Sequence, residues 1–591
     1  MTRQNIGNII QGITSLFVAS GLVWLTLQEV HTGWCKEVPL MLYMLLAICG
    51  MALLTVISKV HTGKGCWIDK AVLVWFAYIT FDYWIVSPYP AGERYFMYLS
   101  SLLLYILLRY TMTRHSRYTL LVALSVGGIY EAVLGTMQLM GMEYSRHSLF
   151  DVTGTFFNPG PYSAYLVVVF AIATAYIYKR RGLYCYPYFK RTMPIRNILP
   201  TGIYLSCCIT FYATVIILPA TWSRAAFVAY FAVLLVLLYR KHKRWMLWLV
   251  CGSLLSGTLL YFVKQDSANG RVLMNTVSGR AIVESPWVGH GIGSFAHAFA
   301  ESQADYFRIN PESPFVEVAG SPEYAFNELL QIGVEQGVIG MLCFSAIATG
   351  SLIVLLRRRS ELGYGWLALL VFSLFSYPFS LQPFRIMAVV FVAYAASMAS
   401  REKKTYRTGR KLTDVIIVAL CTASVCLILP RVKHKVKSTS DWEMISGYKS
   451  LAFADDYAEL YTTLNDNPKF LFAYGKMLHE MKRYNDSNAV LHDGIKVSSD
   501  PMFHVVIGNN YKALGAFKEA EEHYTRAFFQ GPNKMYPLYQ LLQLHIEVND
   551  RIKAQEMAQR IVDFNPKIRS SATDEMKEFA KEYITNKQKL L

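Results

Sequence analysis

The chain has 591 residues, 53% of them hydrophobic, with a formal net charge of +17. The apolar residues gather in runs of about 17 to 25, long enough to cross a hydrocarbon core, which excludes an ordinary soluble globular protein. The positive charge does not read as a nucleic-acid surface, because Lys and Arg cluster between the apolar runs, as at Lys179, Arg180 and Arg181 or Arg357, Arg358 and Arg359, where they set orientation in a membrane. Ten cysteines are present without a CxxC pair, most of them inside apolar runs, so no disulfide framework or thiolate metal site is readable.

In chain order, spans fall near residues 7–28, 38–59, 68–87, 95–112, 118–140, 162–178, 198–219, 222–239, 245–263, 336–356, 363–379, 385–400 and 413–430. This predicts an all-α, polytopic helix bundle of about 12–13 spans. The first run has no small-residue cleavage site and reads as a retained signal-anchor helix. Basic clusters lie on every second loop, beginning with Arg3 and then Lys59, Lys64 and Lys70, which places the N-terminus in the cytoplasm. The segment around Gly154, the segment 264–324 and everything after the last span then face outward. Arg431, Lys433, Lys435 and Lys437 run against this pattern.

Early spans contain Asp82 and Glu131, intramembrane carboxylates that are either functional or paired for structure. Asn158 and Pro159, in GTFFNPGPYSAYL, stand at the outer entrance of a span, as a plain helix start or as part of a cavity. Arg224, in WSRAAF, sits at the outer edge of another, either snorkelling to the interface or holding an anion. The stretch from Lys264 to Gly340 is polar and Gly-punctuated, and its loop of about sixty residues, 264–324, is long enough to be a working surface. It carries Arg280 ahead of Pro286, Gly289, Gly291 and Gly293, where close backbone approach is expected. His290 and His297 flank the same turn, as solvated residues or as catalysts. Two guanidiniums, Arg224 and Arg280, on one face of the membrane suit a diphosphate, because the planar fork binds phosphate oxygens bidentately. YAFNELLQIGVEQGVIG predicts an amphipathic helix turning into a span, with Asn327, Glu328 and Glu335 as its polar members and a carboxylate available as general base or to orient an arginine.

Beyond the last span the composition becomes polar and helix-forming, so a second domain, 438–591, is expected after a membrane domain of residues 1–437 whose outer region covers 264–335. Gly508, Tyr511, Ala520, Tyr524, Ala527 and Pro532 have the internal spacing of a tetratricopeptide unit. Ala554 and Pro566 recur 34 residues after Ala520 and Pro532, and Gly475 precedes Gly508 by 33. An α-helical TPR-like solenoid follows, able to hold a protein partner, to cap the chain or to dimerise it.

Taken together, GTFFNPGPYSAYL, WSRAAF, RAIVESPWVGHGIGSF and NELLQIGVEQGVIG resemble the O-antigen ligase and polymerase family of bacterial membrane glycosyltransferases, chiefly over residues 130–400. The resemblance implies transfer of a glycan from an undecaprenyl-diphosphate carrier to an acceptor at the periplasmic face of the inner membrane, with no metal, nucleotide or other cofactor. The acceptor would be lipid A core, a growing lipid-linked glycan or an exported protein. Arg224 and Arg280 would hold the diphosphate; Asn158, Asn327, Gly291, Gly293 and Glu335 would line the substrate site. One position departs: the residue before the Asn is typically His, the proposed base, and here it is Phe326, so either Glu328 or His290 takes that role, or the departing diphosphate mainly activates the acceptor hydroxyl, or the chain belongs to a branch with a different acceptor. A transporter of lipid-linked glycan is the competing reading from another class. It would use Asp82 and Glu131, but no internal duplication supports it.

Overall fold

The computed structural model describes residue 21 and residues 65–87, 92–112, 116–184, 195–239, 265–400, 412–448, 450–567 and 569–588. The expected spans at 7–28, 38–59 and 245–263 lie outside this set, residue 21 and the margins apart. Each of the other ten coincides with a helix. These are α1 (Trp67–Phe81, continued by a π-turn, Asp82–Val86), α2 (Gly92–Thr111), α3 (Ser116–Leu139), α4 (Pro159–Tyr184), α5 (Ile195–Ile217), α6 (Arg224–Leu238), α9 (Glu328–Arg357), α10 (Leu362–Ser373), α11 (Gln382–Ala399) and α12 (Leu412–Ser446). Among the described residues five helices are long and apolar enough to cross a membrane, and α6 and α10 are shorter apolar helices. No strand is present among them.

The bundle has two halves. In one, α4 is surrounded by α3, α5, α6 and α10. Its sequence, YSAYLVVVFAIATAY, is apolar all round, and its residues from Tyr162 to Ala173 are almost wholly buried, as expected of a central helix. Small residues let neighbours close on it; a Cβ at Gly365 of α10 would lie 2.6 Å from the Ile172 side chain. In the other half α9 packs on α1 and α11, and α11 on α2. Phe156 stacks on Phe384 across the seam, with ring centroids 5.9 Å apart.

The polar segment 264–324 differs from the open loop its composition suggests. It forms two helices, α7 (Gln265–Glu284) and α8 (Phe295–Ile309). Leu273, Val277 and Ala281 of α7 pack with Phe295, Phe299 and Phe307 of α8 around Val334 of α9, giving the segment its own small core.

The C-terminal part is a run of short helices, each packed on the next: α13 (Ala454–Leu464), α14 (Pro468–Glu480), α15 (Tyr484–Val497), α16 (Met502–Ala513), α17 (Phe517–Gln530), α18 (Tyr536–Glu547), α19 (Arg551–Asp563) and α20 (Ser571–Gln588). Short connections make neighbours antiparallel. The repeat residues lie at the contacts. A Cβ at Gly475 would sit 2.5 Å from Leu491, and one at Gly508 2.5 Å from Tyr524, while Ala520, Ala527 and Ala554 are fully buried. Residue 438, the expected domain boundary, falls inside the continuous helix α12. Two of the four basic residues that ran against the charge pattern are engaged at this junction: Lys435 pairs with Asp466, and Arg431 lies 5.4 Å from the Phe96 ring.

The stack also docks on the polar segment. Arg526 of α17 pairs with Glu301 of α8, Gln303 Nε2 donates to the Gln530 carbonyl at 2.6 Å, and Asn533 Nδ2 donates to the Ala319 carbonyl at 2.8 Å. His297 Nδ1 meets the Ile495 carbonyl at 3.1 Å. Segment and stack thus hold one another over the end of the bundle.

Candidate active site

The site is built around a break in α9. Asn327 begins the helix, its Oδ1 accepting from the Leu329 and Leu330 N–H groups at 3.0 and 3.3 Å. At Gly337 the backbone turns to φ 62° and ψ −165°, which only glycine adopts without strain. The broken turn would leave polar backbone unpaired at the edge of the membrane. The Pro286–Gly291 backbone repairs it. His290 N and Gly291 N donate to the Val334 and Glu335 carbonyls at 2.8 and 3.0 Å, and Val338 N donates to the Pro286 carbonyl at 2.8 Å. The glycines of VGHGIG serve this approach: Gly289 has φ 73°, and a Cβ there would lie 2.5 Å from the Glu335 carbonyl carbon. A Cβ at Gly291 would lie 2.8 Å from Ser87 Cα.

Two arginines of different helices, Arg224 and Arg271, are close enough for their charges to act on one another. Arg224 opens α6, whose N-cap Ser223 accepts from Ala226 N at 3.4 Å. Arg271, in the second turn of α7, is mostly withdrawn from solvent; burial lowers its pKa, and the nearby positive charge of Arg224 lowers it further. Like charges in a partly buried place repel each other. The Arg271 guanidinium lies 5.9 Å from the Phe326 ring. Phe326 has φ 49° and stands edge-on to Tyr377 at 4.9 Å. Tyr377 stacks on Tyr324 at 4.9 Å, and Tyr324 lies 5.8 Å from the Arg94 guanidinium.

Arg94 opens onto a cavity of about 570 Å³ between α1, α2, α9 and α11. There it pairs with Glu335, which also accepts from Gln331 Nε2 at 3.1 Å. Arg385 donates through Nε and Nη2 to the Phe379 carbonyl at 3.0 and 2.8 Å, and Phe379 N donates to Glu328 Oε1 at 2.6 Å. Gln336 accepts from Trp75 Nε1 at 3.0 Å and donates to the Tyr98 hydroxyl at 3.3 Å.

The remaining sequence candidates have definite places. Arg280 lies nine residues after Arg271, about half a turn round α7, with its guanidinium 5.4 Å from the Tyr306 ring. His290 Nε2 meets the Ala281 carbonyl at 2.8 Å, so the imidazole is tied to α7. Gly293 lines the cavity, and Gly291 is part of the backbone join. Asn158 accepts from Gly160 N at 2.9 Å, turning the chain into α4. Glu131 accepts from the Thr155 hydroxyl and N–H at 2.5 and 3.1 Å. Asp82 Oδ2 accepts from Ile292 N at 2.9 Å, fastening α1 to the glycine turn. Arg271, Arg94 and Arg385 were missed from the sequence, although Arg94 and Arg385 share the signal that singled out Arg224, an arginine at the end of an apolar run.

Among curated proteins none matches the chain. The family model described as O-antigen ligase matches residues 209–345, a stretch that holds Arg224, Arg271, Phe326 and the broken helix, and so supports a multi-pass membrane protein of glycan-transferring, O-antigen-ligase type.

Proposed function

We propose that the protein moves a glycan from an undecaprenyl-diphosphate carrier to an acceptor hydroxyl at the periplasmic face of the inner membrane. The observation that carries this reading is that the family-matched stretch holds Arg224 at the start of α6 and Arg271 against the Phe326 ring, close enough for their charges to act on one another. Two guanidinium forks can take the oxygens of one diphosphate, and the charge they hold in a water-poor site is most useful as the leaving group gains its own. The acceptor oxygen forms its bond to the anomeric carbon while the carbon–oxygen bond to the diphosphate breaks, the electron pair leaving with the diphosphate. Of the two bases the sequence offers, Glu328 faces the cavity, whereas His290 is held by a backbone carbonyl. Glu328 therefore receives the acceptor proton in this scheme. The charge interaction of Arg271 with Arg224, and the placing of Arg280 against Tyr306, favour Arg271 over Arg280 as the partner of Arg224. In the same reading the N-terminus is cytoplasmic, residues 1–437 form the transferase, and residues 438–591 are a periplasmic tetratricopeptide-type stack open to a protein partner.

The test is release of undecaprenyl diphosphate by purified protein given lipid-linked oligosaccharide and acceptor. Arg271→Ala should lower the rate by about 10²–10³-fold at unchanged melting temperature, and Arg271→Lys nearly as much, since the bidentate fork is lost. Arg280→Ala should cost less than about tenfold, a loss of roughly 1.4 kcal/mol. Full activity in Arg271→Ala sinks the diphosphate assignment. The glycan product of a gene deletion identifies the acceptor: free core with polymer, single-unit decoration, or unglycosylated protein.

A further inference from the structure

The connection between α3 and α4 carries apolar surface that the transferase reading does not use. Met140, Met142, Tyr144, Leu149 and Phe150 are all exposed, Tyr144 at 94% and Leu149 at 81%. Exposed apolar residues scattered singly need no cause, but five of them on one short connection mark an interaction surface.

The chain builds this connection as a firm hairpin. Gly141, at φ 72°, ends α3, with Gly141 N donating to the Gln138 carbonyl at 3.0 Å and Met142 N to the Met137 carbonyl at 2.9 Å. The backbone therefore turns at the helix end instead of rising from it. Buried Gln138 ties the two sides together: its Oε1 accepts from Thr153 N and Gly154 N at 2.9 and 2.8 Å, and its Nε2 donates to the Tyr144 carbonyl at 3.2 Å. At the tip Leu149 N donates to His147 Nδ1 at 3.0 Å, and the His147 ring lies 4.8 Å from that of Phe150. Much of the polar backbone is thus engaged inside the hairpin, while the large apolar side chains stay outside it.

The flanks say what covers those side chains. Arg117–Leu139 before the hairpin and Pro159–Arg180 after it are both long and apolar enough to cross a membrane. A connection that turns at once between two such helices lies at a membrane surface, whichever side that is. Glu143, Arg146 and Asp151 give it no excess of positive charge, so attraction to anionic headgroups does not hold it there. Tyr, Phe, Leu and Met are suited instead to the boundary between headgroups and acyl chains.

We propose that the hairpin 140–153 is a lipid-binding surface, which inserts these five side chains into the adjoining leaflet and fixes the α4 half of the bundle at one depth. Its partner is phospholipid, taken by the acyl boundary and not by headgroup charge. The grounds for this are independent of the transferase reading.

The test uses full-length protein in nanodiscs of phosphatidylcholine, part of it bearing a diazirine near the glycerol end of one acyl chain. Light should label peptides of the hairpin about tenfold more than the peptide around Ile552, an exposed apolar residue of the C-terminal stack. A water-borne diazirine should reverse that ratio. Tyr144→Asp combined with Leu149→Asp should cut the lipid label on the hairpin about fivefold and leave the label on Ile209 and Ile216 of α5 unchanged, which reports an intact bundle; where that variant does not fold, the two probes on the wild type decide. Exchanging part of the lipid for phosphatidylglycerol should leave the hairpin label unchanged. Equal lipid labelling of hairpin and stack, or a label that follows the phosphatidylglycerol content, overturns the proposal. So does protection of the hairpin from both probes, the result expected if a second copy or another protein covers it.

Discussion

The two halves of the bundle are built from similar helices and differ in what they do with their polar groups. Around α4 buried polar side chains close on neighbours: Glu131 on Thr155, the Tyr162 hydroxyl on the Glu131 carbonyl, and Thr210 on the Ser125 carbonyl. That half is solid. Around α9 the helix is broken at Gly337, the polar groups line a space, and a guanidinium stands at each edge. The difference teaches that hydropathy decides which segments enter the bundle, while a break in one helix decides where the bundle stays open.

The comparison breaks most severely at the break itself. Gly337→Val places a branched side chain at a positive φ against the Trp287 carbonyl, and should lower stability by about 4 kcal/mol or more, read as loss of folded protein on size exclusion. A well-folded Gly337→Val protein would show that the kink is incidental. In the solid half, Glu131→Gln keeps the shape but weakens the bonds from Thr155, and should cost about 1–3 kcal/mol in thermal stability with turnover unchanged. A selective loss of turnover there would instead make Glu131 part of the machinery.

A smaller, graded effect is expected where the polar segment meets the stack. His504 and His523 lie with their Nδ1 atoms 2.9 Å apart, beside His492, and Glu301 and Arg526 face them from α8 and α17. Burial, reinforced by the neighbouring histidines, pushes His504 down to about 3 and His523 to about 4. Both lie below the value near 6.5 of an unfolded chain, so the unfolded state binds more protons between these limits. The contribution is fully present above about pH 6.5 and is lost as the pH falls toward 4, by up to about 1.4 kcal/mol per pH unit for each group. A melting profile should show this decline, and His523→Ala should flatten it; a flat wild-type profile would remove the histidines from the account.

Much of the fold was legible because the signal was local. Runs such as LVVVFAIATAY announce a buried helix without reference to anything else, and the small residues Gly508 and Ala520 mark their helix contacts through spacing alone. The helices of the polar segment were less visible. Leu273, Val277 and Ala281 form a stripe at four-residue spacing, but it is narrow in a segment otherwise polar all round. The site was hardest, because its key relation is between distant residues. Nothing near Arg271 in the chain says that its charge acts on that of Arg224; only the folded chain brings the two within reach. The glycines after Pro286 were correctly read as places of close backbone approach, yet what approaches is the broken α9, which a linear sequence does not disclose.

The continuity of α12 has a mechanical consequence. With 35 residues it extends about 52 Å from the bundle into the helical stack, and Lys435 and Arg431 brace it on either side of the junction. The stack is therefore carried on a helical mast, with one proline, Pro430, inside it, and not on an open tether. Anything held by it would be presented at one height and in one orientation, so lengthening that mast by a single turn would lift and rotate the cargo as a unit.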